Sequence, residues 1–138
     1  MKYNFLQILL IPALIIAGSC ARKATFQQSS IVPAAHGNVK VKKDGNQNYK
    51  IDVEVIDLAE VEKVYSNNHA YIVWMETDDG DTEKLGQLIS SKGLFTNQRN
   101  AKLETVSTIE PVRIFITAER DKNVRYPNNK MILRTRNF

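Results

Sequence analysis

Ala70-Tyr71-Ile72-Val73-Trp74-Met75 is apolar on odd and even positions alike, and this stretch decides the fold class. A strand points successive side chains to opposite faces, so apolar residues on both parities predict a central strand covered on both sides. Asp78-Asp79-Gly80-Asp81 follows at once and reads as a hairpin turn, Gly80 supplying the positive φ that a tight turn needs. Upstream, Val39 and Val41 alternate with Lys40 and Lys42, and Asp44-Gly45-Asn46 provides turn chemistry. Tyr49, Ile51, Val53 and Val55 then alternate with Lys50, Asp52 and Glu54, so the two runs form a hairpin with one wet face. Leu58 to Val64 is long enough for a helical turn or a loop.

Downstream, Thr82 to Ser90 is read as a strand, although Leu85, Leu88 and Ile89 also fit a helical stripe. Gly86 argues against that helix, weakening it by roughly 1 kcal/mol relative to Ala. Ala101, Leu103 and Thr105 alternate with Lys102 and Glu104. Val112, Ile114, Ile116 and Ala118 share one face, opposite Arg113, Phe115 and Thr117. Pro127-Asn128-Asn129 is a turn before a last strand, Met131 to Arg136. The sum is an all-β chain of about seven short antiparallel strands, for which a β-sandwich is the natural closure.

The chain has 138 residues, which suits a single domain. Nineteen Lys and Arg against 15 Asp and Glu give a formal charge of +4. That mild excess comes without a recognition motif, so no nucleic-acid partner is expected. The single cysteine excludes an internal disulfide and leaves too few thiolates for a cysteine-based zinc site.

Phe5 to Ile16 runs apolar apart from Gln7, behind a lone Lys2, and Ala17-Gly18-Ser19 precedes Cys20. The apolar run is too short for a spanning helix, which needs roughly 20 residues. The arrangement resembles a bacterial lipoprotein signal of the kind found in Bacteroidetes. The resemblance implies cleavage between Ser19 and Cys20 and attachment of acyl lipid to the Cys20 sulfur. Residues 1–19 are then the signal peptide, 20–36 the lipidated cysteine and a flexible linker, and 37–138 the folded domain. The linker reading rests on the lack of period from Ala21 to His36, and it gives an r.m.s. reach of about 20–24 Å. Arg22 and Lys23, beside the lipid, would favour anionic headgroups by about 1 kcal/mol each. No acidic run follows Cys20, which points to a periplasm-facing protein.

Tyr71-x-x-Trp74, the acidic turn at Gly80, Leu85-Gly86-Gln87, Ile116-Thr117-Ala118-Glu119 and Tyr126-Pro127 together resemble the extracytoplasmic C-terminal domain of anti-sigma-K-type regulators. That resemblance spans residues 37 to 136 and implies an immunoglobulin-like sandwich without catalysis. Such regulators bind a sigma factor through a cytoplasmic helical domain, which this chain lacks, so no direct sigma-factor binding is expected.

Among candidate sites, Asp78, Asp79 and Asp81, with Glu76 and Glu83, could offer carboxylates to a hard cation. Their spacing does not match a calcium loop, and a solvated turn is the expectation, with no metal. Pro111 to Phe138 holds Arg113, Arg120, Lys122, Arg125, Lys130, Arg134 and Arg136 against Glu119 and Asp121. Arg134 and Arg136 share a parity and could form a basic face that meets anionic surfaces, or guard an edge strand. Glu119 is expected in an ordinary surface ion pair near Arg120. Trp74 and Tyr71, with Phe115, are expected in the core. His36 and His69 fall in loops, and no nucleophile elbow, zinc-binding helix or phosphate loop occurs. The expected function is therefore a lipid-anchored, non-enzymatic envelope module without cofactor, contacting the membrane and an unidentified envelope protein. The alternative is a binder of lipid headgroups or polysaccharide.

Overall fold

The computed structural model describes residues 20–92, 99–128 and 130–138. The strands are β1 (Arg22–Thr25), β2 (His36–Lys43), β3 (Tyr49–Ile56), β4 (Ala70–Glu76), β5 (Thr82–Gln87), β6 (Ile89–Lys92), β7 (Arg99–Ser107), β8 (Arg113–Glu119) and β9 (Met131–Arg134), with one helical turn, α1 (Val61–Val64). They form two antiparallel sheets, β1-β2-β3-β7-β6 and β5-β4-β8-β9, in the manner of a β-sandwich. The two strands beyond the expected seven are β1, which the sequence reading placed in the linker, and β6, which continues β5 into the other sheet.

The alternation read from the sequence sets the core. Val39 and Val41 of β2 and Ile51, Val53 and Val55 of β3 meet Val73, Met75, Ile114 and Ile116 from the facing sheet, all at 2% exposure or less. Each such side chain gains about 1.5–3 kcal/mol on leaving water. The β2–β3 turn is locked by Asp44, whose carboxylate accepts from the backbone N–H of Asn48 and Asn46. Those bonds, Asn48 first, hold its pKa below the usual carboxylate value. Gly80, at φ +83°, closes the β4–β5 hairpin with its N–H on the Thr77 carbonyl.

The apolar outward face of β4 has a local cover. Ala70, Ile72, Trp74 and Phe115 form a second buried cluster, with Val124 packed against it. The Trp74 and Phe115 rings stack at 6.5 Å and 18°. The segment carrying Val124 is held by the Lys84 ammonium, which donates to the Lys122 and Val124 carbonyls. Tyr71, of opposite parity to Trp74, joins the inner core instead, its hydroxyl donating to the Ala59 carbonyl at 2.9 Å. The two aromatics thus serve different clusters.

Both lateral edges are tied across the sandwich. Between β5 and β6 the chain turns at buried Leu88, whose N–H donates to the Tyr71 carbonyl, and β6 then pairs with β7. On the other side Phe26 bridges to Thr135, and the Gln27 N–H donates to the Arg134 carbonyl at 2.8 Å.

The linker reading of residues 20–36 is corrected here. Arg22 to Thr25 pair with Val41 to Asn38, and Phe26, Val32 and Ala35 are buried. Ser29 Oγ accepts from the Ile31 and Val32 N–H groups, fixing the return to β2. Residues 22–36 therefore belong to the fold and are not a free linker ahead of residue 37. The proposed signal, residues 1–19 with Ser19, lies outside the described residues, as does Asn129 of the expected turn. Among the described residues no helix is long and apolar enough to cross a membrane.

Candidate functional site

The register of β1, β2 and β3 gathers lysines that are far apart in sequence. Lys23 stands directly opposite Lys40, and Lys42 directly opposite Lys50. Val39, Val41, Ile51 and Val53 take the inward positions, so these four lysines share the outward face. Neighbouring strands lie about 4.8 Å apart and alternate residues about 6.7 Å apart, so the four side chains root within roughly 12 Å of one another. Like charges directly opposite across a ladder are destabilising, and this corner holds two such pairs. Lys50 lies 3.7 Å from Asp52, whereas no carboxylate lies within ion-pair distance of Lys23, Lys40 or Lys42 among the described residues. Farther along the same face the charges balance, Lys102 pairing with Glu54 at 3.1 Å. At the margin Val106, opposite Lys50, is 60% exposed.

The sequence-derived candidates divide around this corner. Cys20 is exposed, two residues ahead of β1. Lys23 points outward as part of the corner. Arg22 takes the inward parity, ion-paired with Glu110 and placed 5.7 Å above the Phe138 ring. It is thus committed to the fold more than to an external anion. Arg136 shares an open concavity of about 980 Å³ with Lys23, Thr25 and Gln27. Arg134, exposed on β9, donates to the Gln27 side chain at 3.1 Å. Lys23, Arg134 and Arg136 therefore lie along one seam, where β1 meets β9.

Asp78, Asp79 and Asp81 are exposed at the β4–β5 turn. Among the described residues no group of His, Cys, Asp and Glu could hold a metal ion. His36 bonds the Ala34 carbonyl, and His69 lies 3.7 Å from Glu62 with both side chains more than half exposed. The expectation for Glu119 is overturned. It is 1% exposed, and its carboxylate accepts from Thr117 Oγ1 at 2.8 Å and from the Asn128 N–H at 3.0 Å. Thr117 Oγ1 in turn accepts from Trp74 Nε1 at 2.8 Å. A buried polar chain thus pins the 120–128 segment over the outer cluster, and Glu119 is no surface pair.

At the end of the sandwich away from Cys20, a cleft of about 260 Å³ is lined by Leu58, Val61, Tyr71 and Leu88, with Glu60 and Arg99 alongside. Arg99 hydrogen-bonds Glu60 and keeps its carboxyl below the usual range. Burial pushes the Tyr71 phenol well above its ordinary value. These groups close the end of the core: Arg99 also accepts the Asp57 N–H at its carbonyl.

The lysine corner itself was not singled out in the sequence. Its signal was present in part, since Lys40, Lys42 and Lys50 all oppose the apolar parity of one hairpin. Comparison with protein-family models, curated proteins and solved structures finds no match to this chain.

Proposed function

We propose that the chain is a lipid-anchored, non-enzymatic interaction module of the bacterial envelope, held by acyl chains on Cys20 and facing the periplasm. The observation that carries this reading is the position of the sole cysteine. It follows an apolar run and three small residues, it is exposed, and it stands two residues from the first strand of the folded domain. Two or three acyl chains, at about 0.8 kcal/mol per buried methylene, would anchor it firmly. The immunoglobulin-like character of the sandwich, and its likeness to the outer domain of anti-sigma-K-type regulators, belong to the same proposal. On it the chain works through contacts with an envelope protein and not by binding a sigma factor.

A second reading, binding to anionic envelope components, is favoured by Lys23, Lys40, Lys42 and Lys50 on the outer face of β1, β2 and β3, where among the described residues Asp52, opposite Lys40, is the one carboxylate directly opposite any of them. It differs from the sequence expectation in placing the contact there and along the β1–β9 seam.

Intact mass of the detergent-extracted protein, beside a Cys20→Ser variant, tests the anchor. The expected mass is that of residues 20–138 plus acyl chains, with the acyl mass lost in the variant. An unacylated mass cut elsewhere would refute it.

A further inference from the structure

We infer that the corner formed by Lys23, Lys40, Lys42 and Lys50, with Val106 at its margin, seats the domain flat on the anionic headgroups of the leaflet that holds its anchor. This rests on the proposed lipidation of Cys20 and specifies which face of the domain meets the bilayer.

Three observations lead there. First, the sheet begins at Arg22, so only Cys20 and Ala21 separate the anchor from β1. Two extended residues span about 7 Å, so the domain rests against the surface and cannot stand off from it. Second, the surface next to that point is cationic. Lys23 is three residues from Cys20, Lys40 faces it across the ladder, and Lys42 and Lys50 form the neighbouring pair. Asp52, opposite Lys40, is the carboxylate within the corner and Glu104 lies beyond it, so four lysines against one carboxylate leave the anchor side net positive. Third, the fold keeps two directly opposed lysine pairs that weaken it in isolation. An anionic surface turns that repulsion into attraction, and exposed Val106 beside Lys50 can enter the headgroup layer. A positive rim from Arg134 and Arg136 continues the band around the seam.

The full chain, purified in detergent, is placed in vesicles of phosphatidylcholine alone or mixed with phosphatidylglycerol, and its lysines are acetylated with a water-soluble ester. Peptide mass spectrometry then gives the rate at each lysine. Lys23, Lys40, Lys42 and Lys50 should react at least about five-fold more slowly on the anionic vesicles, the equivalent of the attraction of one lysine to such a surface. Lys63 and Lys122 should react equally on both. The protection should vanish in 1 M salt, where the Debye length is about 3 Å. Equal rates at the corner on both vesicles, or protection centred on Lys122, would overturn the inference.

Intact mass of the same preparation reports acylation separately, so loss of the anchor and loss of the docking face are told apart. A preparation without acyl mass must still float with phosphatidylglycerol vesicles and not with phosphatidylcholine alone, or the docking face is refuted as well. A Lys23→Gln/Lys42→Gln variant should lose the contrast between vesicles while unfolding no earlier than the parent, since each removed charge stood opposite another lysine, Lys40 and Lys50 respectively. Retained contrast in this folded variant would also refute the inference.

Discussion

Thr117→Val tests the buried polar chain that fastens the 120–128 segment. The substitution keeps the side-chain shape and removes one hydroxyl. That hydroxyl accepts from Trp74 Nε1 at 2.8 Å and donates to Glu119 Oε1 at 2.8 Å, and Thr117 and Trp74 are wholly buried. Without it the indole N–H is left in an apolar site with no acceptor, a cost of about 1–3 kcal/mol. Glu119 keeps the Asn128 N–H but loses a bond to a charged acceptor, about 1.5–3 kcal/mol more. The expected loss is therefore roughly 2.5–6 kcal/mol, a large share of the 5–15 kcal/mol by which domains are stable. Trp74 is the sole tryptophan, so its fluorescence in a urea titration follows the site directly. Thr117→Ser, which keeps the hydroxyl, should recover most of the loss. Adding Trp74→Phe to Thr117→Val removes the orphaned donor, so the two changes should cost less together than their sum, with circular dichroism replacing fluorescence as the probe throughout this cycle. A Thr117→Val protein within about 0.5 kcal/mol of the parent, the usual scatter for inconsequential sites, would refute the reasoning.

Gly37→Ala should be severe, because a Cβ there would lie 2.0 Å from the Glu54 carbonyl oxygen and 2.9 Å from the Val55 Cα. Both are backbone atoms that cannot rotate aside, so the loss should reach or exceed the roughly 3 kcal/mol upper end of ordinary overpacking. Thermal unfolding followed by circular dichroism measures it, and an unchanged midpoint would show that β2 and β3 separate easily. The raised pKa of Tyr71 predicts alkaline sensitivity. The folded state favours the neutral phenol, so this stability is complete below the unfolded value of 10.0 and is lost as pH rises above it. Tyr71→Phe should give up about 0.5–1.5 kcal/mol at neutral pH with its hydrogen bond to Ala59, and then decline less steeply above pH 10. Parallel stability curves for the two proteins between neutral and alkaline pH would contradict this.

Much of the sandwich could be read from single residues. The hairpin of Val39 to Val55, the Asp78–Asp81 turn and the double-sided burial of Ala70 to Met75 follow from parity and turn chemistry, and the structure has them in place. Strand β1 escaped because its inward positions hold Arg22 and Ala24. Arg22 lies over Phe138 and Ala24 is small, so no apolar alternation marks a strand that the register with β2 secures. Glu119 escaped because its burial depends on a covering segment reached through Asn128, which nothing local announces. The division of β5 from β6 turns on Leu88, whose apolar character is equally suited to a continuous strand. As for the lysine corner, parity marks three of its members, but only the pairing of β1 with β2 adds Lys23 and brings the four into one patch.

The strands at the margins of the two sheets are short: four residues each in β1, β6 and β9, and six in β5, whose pairing with β4 is bulged at Val73 and Trp74. Phe26 and Thr135 stitch one margin, and the chain itself crosses at the other. Unpaired backbone along such margins is what recruits a foreign strand and starts polymerisation. Molecules confined to a two-dimensional film meet one another far more often than molecules in bulk solution, and a long flat margin would there become a hazard. This domain presents little of that kind to a neighbour. On the proposed function its contact surface is a broad sheet face, so many copies could crowd one surface and stay separate molecules.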